Sequence, residues 1–172
     1  MRGYMKKIFA STFGALLLML MLTSAVFAAA PAGEKEQLRF KGSLQAFEVG
    51  NVADFPIIHV AATGSGKGSQ LGRFTYSYTV DIHLDPATNS GPGTLYYTFV
   101  AANGDRLYSV GDGFGAPAPG IPNTNHVVEH HTITGGTGRF AGATGKFTVD
   151  RLVSNGNTSG TFDGYIVLVK CN

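Results

Sequence analysis

The segment His126-Val127-Val128-Glu129-His130-His131 brings three imidazoles and a carboxylate within six residues. On a strand, successive side chains alternate between faces. His126, Val128 and His130 would then share one face, and Val127, Glu129 and His131 the other. Glu129 and His131 become neighbours that could supply two metal ligands, with a third from an adjacent strand, such as Asp81 or His83. A strand histidine more often decorates a solvated or subunit-facing surface, so the expected metal set is none, and no cofactor is expected. Gly64-Ser65-Gly66-Lys67-Gly68-Ser69 superficially matches a phosphate loop. It has Ala61 where the first glycine belongs and Gly68 in place of Ser or Thr, and it leads into a strand pattern. A hairpin turn accounts for it better. No Gly-x-Ser-x-Gly elbow supports a hydrolase. Asn157-Thr158-Ser159 is formally a glycosylation sequon.

The elements that would have to position such residues follow from composition and patterning. The chain is 44% hydrophobic and only 14% charged, with one cysteine and no tryptophan. Disorder, a disulfide framework and a thiolate zinc site are excluded on those grounds. Residues 1–28 read as a cleaved signal peptide. Arg2, Lys6 and Lys7 precede an uncharged stretch from Ile8 to Leu22, and a small-residue exit follows, with cleavage expected after Ala28 and Val26 and Ala28 at its two small-residue positions. The apolar centre is short for a bilayer core of ~30 Å, so no stable membrane anchor is expected after cleavage. The expected location is secreted or periplasmic. Three of the 13 basic residues and none of the 11 acidic ones lie in this leader, so its removal turns a formal charge of +2 into −1. Apart from Lys35, Arg39 and Lys41 the remaining bases are scattered singly, so no clustered basic face is expected and no nucleic-acid partner.

Residues 29–36 read as a flexible lead-in and 37–172 as one β-domain. Leu38, Phe40, Leu44 and Ala46 alternate with polar neighbours in a first strand ending near Phe47, and Ile57 to Thr63 forms a second. In Arg73 to Leu84, Phe74, Tyr76, Tyr78, Val80, Ile82 and Leu84 point one way. Thr94 to Ala102 and Asp105 to Val110 flank Asn103-Gly104, a strong hairpin signal. Gly111 to Asn125 reads as a Gly/Pro-rich loop, and Val127 to Thr134, Gly145 to Val153 and Gly160 to Val169 complete the set. Seven or eight strands imply an antiparallel sandwich or a closed barrel, between which periodicity does not choose.

Thr134-Gly135-Gly136-Thr137-Gly138-Arg139-Phe140-Ala141-Gly142-Ala143-Thr144-Gly145-Lys146-Phe147 has five glycines in eleven residues, with Phe140 and Phe147 as anchors. It resembles the glycine-rich pattern shared by plant allene oxide cyclases and dirigent proteins, and more closely that of bacterial secreted proteins grouped as allene-oxide-cyclase-barrel-like. The likeness extends over Leu71 to Thr75, Phe99 to Asp105 and Gly160 to Gly164. The resemblance implies a single eight-stranded antiparallel closed β-barrel with an apolar interior, commonly assembled as a homotrimer. In that setting Tyr76, Tyr78, Tyr97 and Phe99 become candidate ligand-binding residues; small barrels also simply fill themselves with such side chains.

The segment Phe47-Glu48-Val49-Gly50-Asn51 resembles the one carrying the catalytic glutamate of plant allene oxide cyclases, which makes Glu48 the candidate catalytic residue. Gly50 stands where the family has Asn, with Asn51 one step later. Pro56 lies only near the proline position, and Cys171 sits at the C-terminus rather than in a pocket. It could pair only between subunits. The ordinary setting for Glu48 is a strand end in water. Three expectations follow: a binding barrel for a small hydrophobic or aromatic ligand, an isomerase or cyclase using Glu48, or a non-catalytic assembly barrel.

Overall fold

Along β3 (Gly72–His83), Phe74, Tyr76, Tyr78 and Val80 are buried, while Arg73, Thr75, Ser77, Thr79 and Asp81 are exposed. This two-residue period makes half of each strand core and half surface. The computed structural model describes residues 33–170, so the leader expected over 1–28 and Cys171 lie outside the described residues. The other strands are β1 (Lys35–Asn51), β2 (Ile57–Gly68), β4 (Gly91–Ala101), β5 (Arg106–Pro117), β6 (Thr124–Gly136), β7 (Thr144–Ser154) and β8 (Asn157–Val169). Each pairs antiparallel with its sequence neighbours, and β1 pairs with β8. The result is a closed eight-stranded antiparallel barrel, in which closure leaves no strand edge unpaired.

The strands outrun their expected ends where glycine hides the alternation. Gly64 to Gly68 is strand rather than turn, and the chain reverses at Ser69–Leu71. Gly64 and Gly66 lie opposite Tyr76 and Phe74, and a Cβ on Gly64 would stand 2.7 Å from Tyr76 Cε1. Glycine here makes room for a ring lying over the neighbouring strand. Likewise, β5 runs on to Pro117 through the segment expected to be a loop, leaving only Ala118–Asn123 between the strands. Its inward positions Gly111, Gly113 and Gly115 carry no side chain from which a strand could be read. β1 continues past Phe47 to Asn51 and begins at Lys35, inside the expected lead-in. The Asn103-Gly104 hairpin forms as expected, closed by the Ala101 amide donating to the Asp105 carbonyl at 2.9 Å.

The barrel's two ends differ. Towards the β2–β3, β4–β5 and β6–β7 turns, Phe40, Phe74, Phe99, Phe147 and Phe162 interlock largely edge to face, with Phe40 and Phe147 centroids 5.2 Å apart. Phe140, from the short 3-10 turn Gly138–Phe140, is completely buried with them. At the opposite end, the inward positions become aliphatic or glycine and the packing opens.

The β1–β2 loop at that open end is clasped from outside the barrel. His59 on β2 bonds Asp81 of β3 through Nδ1 at 2.6 Å and loop residue Asp54 through Nε2 at 3.0 Å. Those bonds, Asp81 first, hold the imidazole above its usual 6.5. The clasp is therefore complete below pH 6.5 and is lost as pH rises through the folded-state value. An NMR titration should place the His59 midpoint above 6.5, with Ala53–Phe55 amides moving alongside it. Asp81→Asn should lower the midpoint, and an unchanged midpoint would contradict the clasp.

Candidate functional site

Four strands aim charged or polar groups into one layer of the barrel interior. Inward positions on β6 place Glu129 and His131 there, β7 places Arg151, β1 places Glu48, and β8 places Thr158. Glu129 and His131 are fully buried, and the Arg151 and Glu48 side chains are 4% and 13% exposed. A buried charge is tolerated only when paired and hydrogen-bonded, and this layer meets that condition. The Arg151 Nε donates to Glu129 Oε1 at 2.7 Å, and its Nη1 donates to Thr158 Oγ1 at 3.0 Å and to Glu48 Oε1. The Tyr78 hydroxyl also donates to Glu48 Oε1, and the Tyr97 hydroxyl donates to Glu129 Oε2 at 2.8 Å.

His131 completes the network. Its Nε2 lies 3.1 Å from Glu129 Oε2, which can only accept, so Nε2 carries the proton. Nδ1 can accept from the Ser109 hydroxyl at 3.2 Å. The ring stacks on Phe147 with centroids 4.8 Å apart.

These contacts decide the ionisation states. Burial pushes the Glu129 carboxyl up, but the His131 hydrogen bond and the Arg151 charge outweigh it and hold it below its ordinary value. Burial would lower the Arg151 guanidinium, yet Glu129 and the neighbouring groups hold it well above its usual range. Burial also drives the hydroxyls of Tyr76, Tyr78 and Tyr97 far above the ordinary tyrosine range. Tyr78 and Tyr97 therefore serve as fixed donors orienting the two carboxylates.

Above this charged floor lies a cavity of about 210 Å³. Ile58, Val60, Val80, Ile82, Leu95, Val127 and Val153 supply much of its apolar wall. Glu48, Glu129 and Arg151 line it as well, with Gly91, Gly93, Gly113 and Gly115 on the β4–β5 side. Such a site can desolvate a small apolar body while offering a carboxylate and a guanidinium to one polar group.

The sequence-level candidates divide across this floor. Glu48 is not a carboxylate in water: it faces inward, bonds Arg151 and Tyr78, and lines the cavity. Tyr76, Tyr78, Tyr97 and Phe99 are 0–3% exposed and pack beneath the cavity rather than along its wall. Tyr78 and Tyr97 reach the site only through their hydroxyls. Tyr76 Oη is the buried side-chain polar atom with no hydrogen-bond partner among the described residues.

The metal alternative does not assemble. Glu129 and His131 do share a face, but it is the interior, whereas Asp81 and His83 project outward from β3. Among the described residues no group of three His, Cys, Asp or Glu could hold a metal ion. His126 and His130 are exposed on the outer face, against Asp150 at 2.9 Å and Thr148 at 3.2 Å. Arg151 and Thr158 were not among the sequence candidates. A signal for Arg151 existed: it continues the inward series Phe147, Val149, Arg151, Val153, where a charge is out of place.

No family model and no curated protein matches the sequence. Among solved structures, that of the pterocarpan synthase dirigent protein GePTS1 matches with a TM-score of 0.56 and 13% sequence identity, over 81% of this chain and 88% of that one. The chain has a dirigent-type barrel fold. This agrees with the architecture implied by the Thr134–Phe147 segment. At 13% identity the shared feature is the dirigent-type barrel itself.

Proposed function

We propose that the protein is a binding barrel that holds a small hydrophobic or aromatic ligand in the 210 Å³ cavity, and that it does so outside the cytoplasm once its leader is removed. The observation that carries this reading is an apolar-walled chamber floored by Glu48, Arg151 and Glu129 at one end of an otherwise filled barrel. A dry cavity of about 150 Å³ suffices for benzene, and drug-sized molecules need about 300 Å³ or more, so the chamber suits one ring with a short polar substituent. The homotrimer implied by the resemblance would cover exposed apolar residues of the outer face such as Phe47, Val49 and Tyr96.

The test is native mass spectrometry of the purified protein, which reads subunit number and co-purified ligand together, followed by NMR titration with benzyl alcohol. Saturable shifts are expected at Gly113 and Val127. Val127→Phe, which fills the chamber from its wall, should weaken binding by about tenfold or more at unchanged fold. Binding that ignores this substitution would place the ligand elsewhere.

A second reading rests on Glu48 lining the cavity, where its carboxylate could polarise a substrate as in an intramolecular isomerase or cyclase. That reading requires Glu48→Gln to abolish turnover while a ligand still binds. A barrel acting through its outer surface alone has less support, because it gives the chamber no purpose.

A further inference from the structure

Hydrogen-bonding capacity on the barrel floor is spent unevenly. Glu129 is engaged through both oxygens, Oε1 by the Arg151 Nε at 2.7 Å and Oε2 by Tyr97 at 2.8 Å and His131 at 3.1 Å. On Arg151, Nε goes to Glu129, and the two hydrogens of Nη1 go to Glu48 and Thr158. On Glu48, Oε1 takes both that Nη1 and the Tyr78 hydroxyl. Glu48 Oε2 and Arg151 Nη2 are left over and make no hydrogen bond among the described residues. Neither is a sealed orphan, a condition that falls to Tyr76 Oη, so both open onto the cavity their residues line.

The leftover pair is one acceptor and one donor, set one carbon to either side of the same Oε1···Nη1 bond. A carboxamide presents the complementary pattern, a carbonyl oxygen and an amide nitrogen on one carbon. The Arg151 guanidinium carbon stands 5.2 Å from the centre of the Tyr78 ring, and the Tyr78 hydroxyl bonds Glu48, so one side chain steadies both halves. Charge points the same way, whatever the protonation of His131. The polar group that meets the ligand is a carboxylate hydrogen-bonded to a guanidinium. A cation drawn to Oε2 comes up against Arg151, and an anion drawn to Nη2 comes up against Glu48. Either ion also gives up its hydration between walls that include Val60, Val80 and Val127. A neutral amide satisfies both leftover atoms and brings no net charge into the chamber.

Resting on the binding-barrel reading above, we infer that the chamber recognises a primary carboxamide carried on a single ring. The carbonyl oxygen accepts from Arg151 Nη2, the amide N–H donates to Glu48 Oε2, and the ring lies between the aliphatic walls.

The experiment is calorimetric titration of the purified protein at pH 7 with benzoate, benzamide and benzamidine, which share one shape and are anionic, neutral and cationic. Acetophenone joins them as the near-isostere that keeps the carbonyl and has methyl in place of the amide nitrogen. Benzamide should bind about tenfold tighter than each of the others. In Glu48→Gln the new side-chain amide keeps its oxygen on Arg151 Nη1 and turns its nitrogen to the chamber, so benzoate should overtake benzamide. A merely structural defect would weaken all the ligands together rather than exchange two of them. Thermal melting checks that the variant folds, and the wild-type series tests the inference by itself if it does not. Benzoate or benzamidine matching benzamide on the wild-type protein would overturn the neutral assignment. Acetophenone matching benzamide, or an unchanged order in folded Glu48→Gln, would overturn the bond to Glu48. If none of the four binds and benzyl alcohol does not either, the binding-barrel reading falls along with this inference. Benzyl alcohol binding without any preference for benzamide sinks the inference alone.

Discussion

Replacing Arg151 by methionine is expected to destabilise the fold by about 3–5 kcal/mol at pH 7, because it strips two inward-facing carboxylates of their common counter-charge. The unbranched methionine keeps much of the stem's packing, so the loss reports the charge rather than a void. The pH dependence separates this from simple damage. In the wild-type protein, Glu129 sits below its ordinary value of 4.5, so its contribution is present above that pH and is lost as pH falls through the folded-state value. Without the guanidinium, burial dominates and raises the carboxyl in the folded state. The sign then reverses: the Glu129 contribution is unfavourable at pH 7 and is relieved as pH falls and the carboxyl is protonated. Urea unfolding at pH 7, 5 and 4 should therefore show the gap between variant and wild type narrowing with acidity. An equal gap at pH 7 and pH 4, or one below about 1 kcal/mol, would show that the network is not held by charge.

Phe99→Ala should cost about as much, 3–5 kcal/mol, for a different reason. Phe99 is completely buried, with ring centroids of Phe74, Tyr97, Tyr76 and Phe147 at 5.5, 5.7, 5.8 and 6.0 Å. Its removal leaves a void that eight closed strands cannot collapse to fill. Against a typical domain stability of 5–15 kcal/mol, that is a large share. The folded fraction should still bind ligand in the upper chamber with little change in affinity, since Phe99 does not line it. The two substitutions are thus a control for each other: urea unfolding reads the similar losses, and only Arg151→Met should alter both the pH profile and the ligand preference. A large affinity loss in folded Phe99→Ala would return this residue to the ligand-binding set.

Glu48 shows how close the sequence came to the site. Leu38, Phe40, Leu44 and Ala46 mark the even positions of β1 as inward, and carrying that parity two residues further aims Glu48 at the interior. Alternation alone ends the strand near Phe47 and leaves Glu48 as a strand-end carboxylate in water. The structure shows the strand continuing, since Arg151, Tyr78 and the barrel wall make an inward carboxylate tolerable. Arg151 is the mirror case, a charge on an inward parity that reads as an exception until its partners are known. Those partners lie 22 and 103 residues away, which local spacing cannot reveal.

Period-two alternation, the Asn103-Gly104 turn and the Thr134–Phe147 glycine segment were enough to specify an all-β chain and, through resemblance, a barrel. These signals are local, set by side-chain direction and turn geometry within a few residues, and so they survive in one dimension. Which inward positions are filled and which are empty was decided only by closure. Tyr76, Tyr78, Tyr97 and Phe99 look like a pocket lining in sequence but become its floor and filling, because they stack on one another across β3 and β4, with Gly64 making room for the Tyr76 ring. The chamber lies instead among aliphatic residues and glycines that carry no chemical signature of their own. A cavity is the space left between strands remote in sequence, and its charge is a sum over Glu48, Glu129 and Arg151, which meet only when β8 closes against β1.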